Sequence, residues 1–128
     1  NRAALAEGLW LSKVLGLDAR VVLTVLRESM AYSRVMDTKG QKMITGDFEP
    51  QARLSQHQKD VRLILQAAAG AGTDLPLTRA HARLLELARS AGYGDQDNSA
   101  IIRAFEQLAR SPSGEQAPGH TVDKNDQH

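Results

Sequence analysis

The sequence predicts an all-α fold, a bundle of several short helices, and three observations carry the prediction. Apolar residues recur at helical spacing through most of the first 110 positions. Glycine stops and Asp, Ser or Pro starts separate the periodic stretches. No stretch alternates polar and apolar residues as a half-buried strand would, and no internal repeat is visible.

From Ala3 to Leu15 apolar residues fall almost all round the helical wheel, which predicts a first helix covered on several sides. Gly16 is placed to end it, and Asp18 to cap a second helix carrying Val21, Val22, Val25 and Leu26. Ser29 to Met36 reads as a short third helix. Lys39-Gly40 and Gly46-Asp47 then punctuate a segment, 37 to 54, that reads mainly as loop. Ser55 and Gln58 have capping-box spacing and predict a helix start near Ser55. Behind it Val61, Ile64, Leu65 and Ala68 form the core stripe, with Lys59, Leu63 and Gln66 on the opposite face. Gly70 and Gly72 close that helix. Pro76 opens the next, whose stripe is Leu77, Ala80, Leu84, Leu87, Ala88 and Ala91. Asp97 can cap a last helix carrying Ile101, Ile102, Phe105 and Leu108. The expected organisation is one helical domain over 1–110 and a polar, flexible tail over 111–128, where Pro, Gly, Ser, Gln and Asp dominate.

Composition narrows the function classes. Sixteen basic and fifteen acidic residues leave a net charge of +1, so no global field draws the chain to nucleic acid or an anionic membrane. With few aromatic platforms, the arginines at 20, 27 and 34 read as a solvated face, and no nucleic acid partner is expected. The absence of cysteine excludes disulfides and thiolate chemistry and fits a reducing compartment; cytoplasm is the expectation. Glu7, Ser12, Lys13 and Arg20 interrupt the apolar stretches well short of the roughly 20 residues a span needs, so no membrane partner is expected.

Motifs for self-contained catalysis are absent: there is no Walker loop, no Gly-x-Gly-x-x-Gly and no Gly-x-Ser-x-Gly. Asp95, Asp97, Ser99 and Glu106 imitate calcium-loop spacing. Ala100 replaces the turn glycine, however, and Ile101, Ile102 and Phe105 run through the loop at helical spacing, so capping by Asp97 is the better reading. His57 and His81 lie on different predicted helices without partners at metal-ligand spacing, and no metal is expected. Lys59-Asp60 is the pair that stands out. A lysine in the first turns of a helix opposes the macrodipole, and it is either a surface charge paired with Asp60 or Glu49 or a donor held for a ribose hydroxyl or phosphate.

Six strings in order, Ala3-Ala4-Leu5-Ala6-Glu7-Gly8-Leu9, Gly16-Leu17-Asp18, Gly46-Asp47-Phe48-x-Pro50, Lys59-Asp60-Val61, Leu75-Pro76-Leu77-Thr78 and Gly92-x-Gly94-Asp95-x-Asp97-x-Ser99-Ala100, resemble the C-terminal domain of the β-hydroxyacid dehydrogenases. This is the family of 3-hydroxyisobutyrate dehydrogenase and tartronate semialdehyde reductase, distantly similar to 6-phosphogluconate dehydrogenase. The resemblance implies a multi-helix bundle of the 6-phosphogluconate dehydrogenase C-terminal-domain type. Such a domain follows a Rossmann domain and a linking helix, forms a homodimer contact and closes a cleft over a small-molecule substrate. It implies NAD or NADP as cofactor, bound mainly by an N-terminal domain outside this chain, with Lys59 as the residue reaching the nicotinamide cofactor. Asp60 would orient the helix start. The family's catalytic lysine belongs to a motif upstream of Asn1, so no catalytic residue is expected here and the isolated chain is expected to be inactive. Two departures from the family pattern stand near the cleft: Ala52 where a phenylalanine is expected, and Ser29-Met30-Ala31 where Gly-Ser-Gly is expected. The alternative class is a stand-alone, non-catalytic helical interaction module.

Overall fold

The computed structural model describes residues 1–111. Six α-helices form: α1 (Arg2–Val14), α2 (Ala19–Arg27), α3 (Arg34–Thr45), α4 (Leu54–Gly70), α5 (Pro76–Ala88) and α6 (Arg103–Arg110). A wide turn over Arg89–Tyr93 and a 3-10 turn over Asn98–Ile102 connect α5 to α6. Among the described residues no strand forms; the one extended pairing is an antiparallel bridge between Arg53 and Asp97. Beyond Ser111 the expected flexible tail lies outside the described residues.

The first corner forms as its residues dictate. Gly16, at φ +72°, lets Leu17 N donate to Ser12 O (2.8 Å) and Gly16 N to Lys13 O (3.1 Å), closing two orphan carbonyls of α1. Asp18 Oδ1 then accepts from Arg20 N at 2.9 Å and starts α2. Pro76 occupies the first turn of α5, where its missing N–H costs nothing.

Several expectations need correction. Residues 29–33 turn rather than forming a helix, and the helix that follows runs over 34–45 where mainly loop was expected. Its buried face is Met36, Lys39, Gly40 and Met43, a helical spacing obscured by a lysine and a glycine at its centre. Gly40 is required there: a Cβ would lie 2.8 Å from Leu23 Cδ1 and Cδ2, so α2 and α3 cross with Leu23 seated on glycine. The Ser55/Gln58 capping box does not form either. Leu54 N and Ser55 N donate to Gln96 O (2.8 Å) and Gly94 O (2.9 Å), so carbonyls from a distant segment cap α4.

The stripes shift accordingly. On α4 the buried positions are Leu54, Gln58, Val61 and Ala68, while Ile64 is 50% exposed. On α5 they are Leu85 and Ala88, while Leu77 is 87% exposed. Leu54, Leu85 and Ile101 are the largest fully buried apolar side chains and mark the centre where α4, α5 and the 3-10 turn meet. The first helix buries only one stripe, Leu5, Ala6, Leu9 and Ser12. Leu11, Val14 and Leu15 on it remain exposed, as do Leu17, Val21 and Val25 beyond it.

Candidate functional site

The site that the sequence singles out is the start of α4, and its position is fixed from the preceding loop. Asp97 is fully buried and gathers that loop: Oδ1 accepts from Gln51 N (3.0 Å) and Ala52 N (3.2 Å), and Oδ2 from Ser99 N (3.0 Å) and Ser99 Oγ (2.5 Å). Asp97 N donates to Phe48 O at 2.9 Å, and Asn98 N to Ala52 O at 2.8 Å. Lys39 Nζ supplies the counter-charge, 2.9 and 3.1 Å from the two carboxylate oxygens, and also donates to Gln51 Oε1 at 3.3 Å. Burial pushes the Asp97 carboxyl up, but hydrogen bonds from Ser99 and Lys39 and from the Ser99 and Gln51 amides outweigh it, holding the group well below the usual carboxylate range. Asp97 thus caps the 3-10 turn, as expected, and also anchors the loop leading into α4. Its oxygens are consumed by protein donors, which accounts for the residue without calcium.

Further along, two sides of α4 are tied down. Gln58 Nε2 donates to Glu86 Oε2 at 2.5 Å, and Arg89 Nη2 donates to Glu86 Oε1 at 2.7 Å. Those donors, Arg89 first and then Gln58, lower the Glu86 carboxyl to about 2. Arg2 Nη1, at the start of α1, donates to His57 Nε2 at 3.0 Å. The His57 and His81 rings, on different helices as the sequence places them, lie 5.0 Å from centre to centre. Burial, reinforced by the neighbouring Arg2 cation and by His81, lowers His57 to about 4; burial and Arg2 lower His81 as well. The neutral His57 ring can therefore accept the Arg2 hydrogen bond.

Lys59 and Asp60 lie on the side left free. Lys59 is exposed, and among the described residues it forms no ion pair with Asp60 or Glu49. Leu63 and Gln66 share its face and are exposed, as the wheel predicts. Side chains on a rigid, tied helix thus present one unengaged ammonium beside an exposed leucine. Lys39 is the residue that sequence reasoning passed over. Its signal was available in the spacing Met36-x-x-Lys39-Gly40-x-x-Met43, a buried helical stripe with one charge in it.

The described residues thus form an all-helical bundle in which the start of α4 is tied to distant segments and carries an exposed lysine. The family model described as "NAD-binding of NADP-dependent 3-hydroxyisobutyrate dehydrogenase" matches residues 1–105. This chain belongs to that family, the β-hydroxyacid dehydrogenases. It is 32% identical over 109 residues to 2-hydroxy-3-oxopropionate reductase of Escherichia coli, a match covering 85% of this chain and 37% of the relative. It is 40% identical over 103 residues to cytokine-like nuclear factor N-PAC of Aedes aegypti, covering 80% of this chain and 18% of that protein. The crystal structure of 3-hydroxyisobutyrate dehydrogenase from Salmonella typhimurium superposes with a TM-score of 0.78 at 29% identity, over 81% of this chain and 36% of that one. The chain therefore spans well under half the length of these relatives. Among the described residues no helix is long and apolar enough to cross a membrane.

Proposed function

We propose that this chain is the helical C-terminal domain of an NAD(P)-dependent β-hydroxyacid dehydrogenase, working with a Rossmann domain that precedes it. The parent enzyme would interconvert a small 3-hydroxyacid and its semialdehyde, such as glycerate and tartronate semialdehyde, or act on 3-hydroxyisobutyrate. The hydride chemistry belongs to the nicotinamide cofactor. This chain contributes the cleft-closing surface and, from α4, the Lys59 ammonium as a contact to the cofactor.

The observation that carries the reading is Lys59 standing unengaged on a helix whose neighbouring positions 54, 55, 57 and 58 are all tied to other segments. Holding a side chain's backbone rigid while leaving its head free is what positioning a ligand contact requires. The residues fit one polar contact to a nucleotide and no more, since the chain has no glycine-rich phosphate cradle. The catalytic lysine would come from outside the chain. The exposed apolar residues at 11, 14, 15, 17, 21 and 25 favour self-association, in keeping with a homodimer. A cysteine-free chain suits the cytoplasm.

The experiment is a comparison of the isolated chain with the longer protein that contains it. NADH or NADPH oxidation with tartronate semialdehyde is expected from the longer protein alone, and turnover by the 128-residue chain would overturn the assignment. One finding favours a second reading, a non-catalytic interaction module: a relative at 40% identity carries a name that is not a reductase's. A longer protein lacking the catalytic lysine motif upstream of Asn1 would decide for that module.

A further inference from the structure

We propose that the cavity between the C-terminal ends of α1 and α3 is a binding site for a small carboxylate with a flat apolar body. The cavity holds about 410 Å³, within the range of small-molecule sites, and α6 closes its floor. It lies at the far end of α1 from Arg2, where α4 begins, and α1 is roughly 20 Å long. The site is thus separate from the Lys59 face.

Its walls divide by chemistry. Trp10, Met43 and Ile102 give an apolar side, and Lys13, Arg103 and Glu106 a polar one. Glu106 is the single anion against two cations. Arg103 donates to it from Nη1, whereas Lys13 Nζ stands 3.8 Å away, beyond hydrogen-bond reach and 5.4 Å above the Trp10 ring. Arg103 Nε is buried without an acceptor. The polar wall therefore carries more donors than its one carboxylate uses.

Gly46 gives the second indication. A Cβ at this position would stand 2.9 Å from Arg103 Nη2, so another residue would crowd the guanidinium tip where it borders the cavity. Among the described residues Nη2 has no hydrogen-bond acceptor, and a terminal guanidinium nitrogen is a strong donor to a carboxylate oxygen. An acceptor bearing a negative charge takes a hydrogen bond from Nη2 and draws on Lys13, whose 3.8 Å ion pair with Glu106 leaves its side chain 66% exposed, while a planar apolar body lies against Trp10.

Trp10 is the sole tryptophan of the chain, so its indole N–H is a unique NMR reporter. We would titrate the 128-residue chain with 3-phenylpropionate and with its neutral amide, following the Trp10 indole and the Gly46 and Arg103 amides. Saturable shifts at all three are expected with the acid, with a dissociation constant of about 1 mM or below. The amide is expected to bind at least roughly fivefold more weakly, and Lys13→Gln, at an exposed position, to weaken the acid by a similar factor. Equal affinity for acid and amide, shifts confined to other surfaces, or a linear response without saturation would overturn the proposal. Far-UV circular dichroism of Lys13→Gln verifies that its fold is retained.

Discussion

Lys39 and Asp97, 58 positions apart in sequence, form a buried ion pair in which Nζ lies 2.9 and 3.1 Å from the two carboxylate oxygens. The pair joins α3 to the 3-10 turn, and through Asp97 it also holds the loop that delivers α4. Its two members are not equivalent. Without Lys39, the carboxylate keeps the Gln51, Ala52 and Ser99 amides and the Ser99 hydroxyl; without Asp97, a buried ammonium and three backbone N–H groups lose their acceptor together.

Asp97→Ala is therefore expected to cost about 3–5 kcal/mol of stability in urea unfolding, the range for stranding one member of a buried pair. Lys39→Met retains the aliphatic bulk and should cost clearly less. Equal losses for the two variants would show that Asp97 matters only as the partner of Lys39.

The His57 environment predicts a pH dependence whose sign is fixed. Its folded-state value is lowered to about 4 from an ordinary value of 6.5, chiefly by burial and then by Arg2 and His81. A depressed histidine binds its proton more readily in the unfolded chain. Its contribution is thus complete above pH 6.5 and drains away as the pH falls toward 4. The melting temperature should drop across that window, and His57→Gln should flatten the drop; parallel profiles for the two proteins would contradict the account. His81, shifted in the same direction, adds a smaller slope that remains in the variant.

Sequence pattern made much of the fold legible where local chemistry decides it. The Gly16 and Asp18 corner, Pro76 at the start of α5 and Asp97 before the last helix each form as their residues dictate. The errors arose where tertiary structure decides. Lys39 is buried against Asp97, which arrives from the other end of the chain, and Gly40, read as punctuation, lies mid-helix with Leu23 packed over it. The Ser55 and Gln58 box was plausible locally, but the Gly94 carbonyl takes the Ser55 amide and α4 begins one residue earlier, with Leu54 N on Gln96 O. Of the candidate site, the exposed Lys59 face was readable from the wheel, whereas the anchoring through His57 and Gln58 was not, since neither partner lies near in sequence.

Gly40→Ala tests the crossing of α2 and α3. Alanine is the better helix former by about 1 kcal/mol, so an exposed helical position would gain from the change. Here the new methyl would stand 2.8 Å from both tips of Leu23, itself only 2% exposed, so the leucine has to shift within the core. A net loss of about 1–3 kcal/mol is expected from overpacking, and the cost of the same change should shrink when it is made in a Leu23→Ala background. A stabilised single variant would show that the helices can move apart freely.

Lys59→Ala separates a ligand contact from a surface charge. Lys59 is exposed and unpaired among the described residues, so the change should alter the stability of the 128-residue chain by no more than about 0.5 kcal/mol. In the longer enzyme the same change should raise the cofactor KM about tenfold, the lower end of what a hydrogen bond to a charged group is worth, about 1.5–3 kcal/mol. The split between parameters carries the diagnosis. A contact equally strong in ground and transition states moves KM and leaves kcat, whereas a residue engaged only in the transition state moves kcat. Lys59→Arg, which keeps the charge but replaces a compact ammonium with a planar fork, should recover part of the loss. An unchanged cofactor KM in Lys59→Ala would return the residue to the solvated surface and leave the cofactor wholly to the preceding domain.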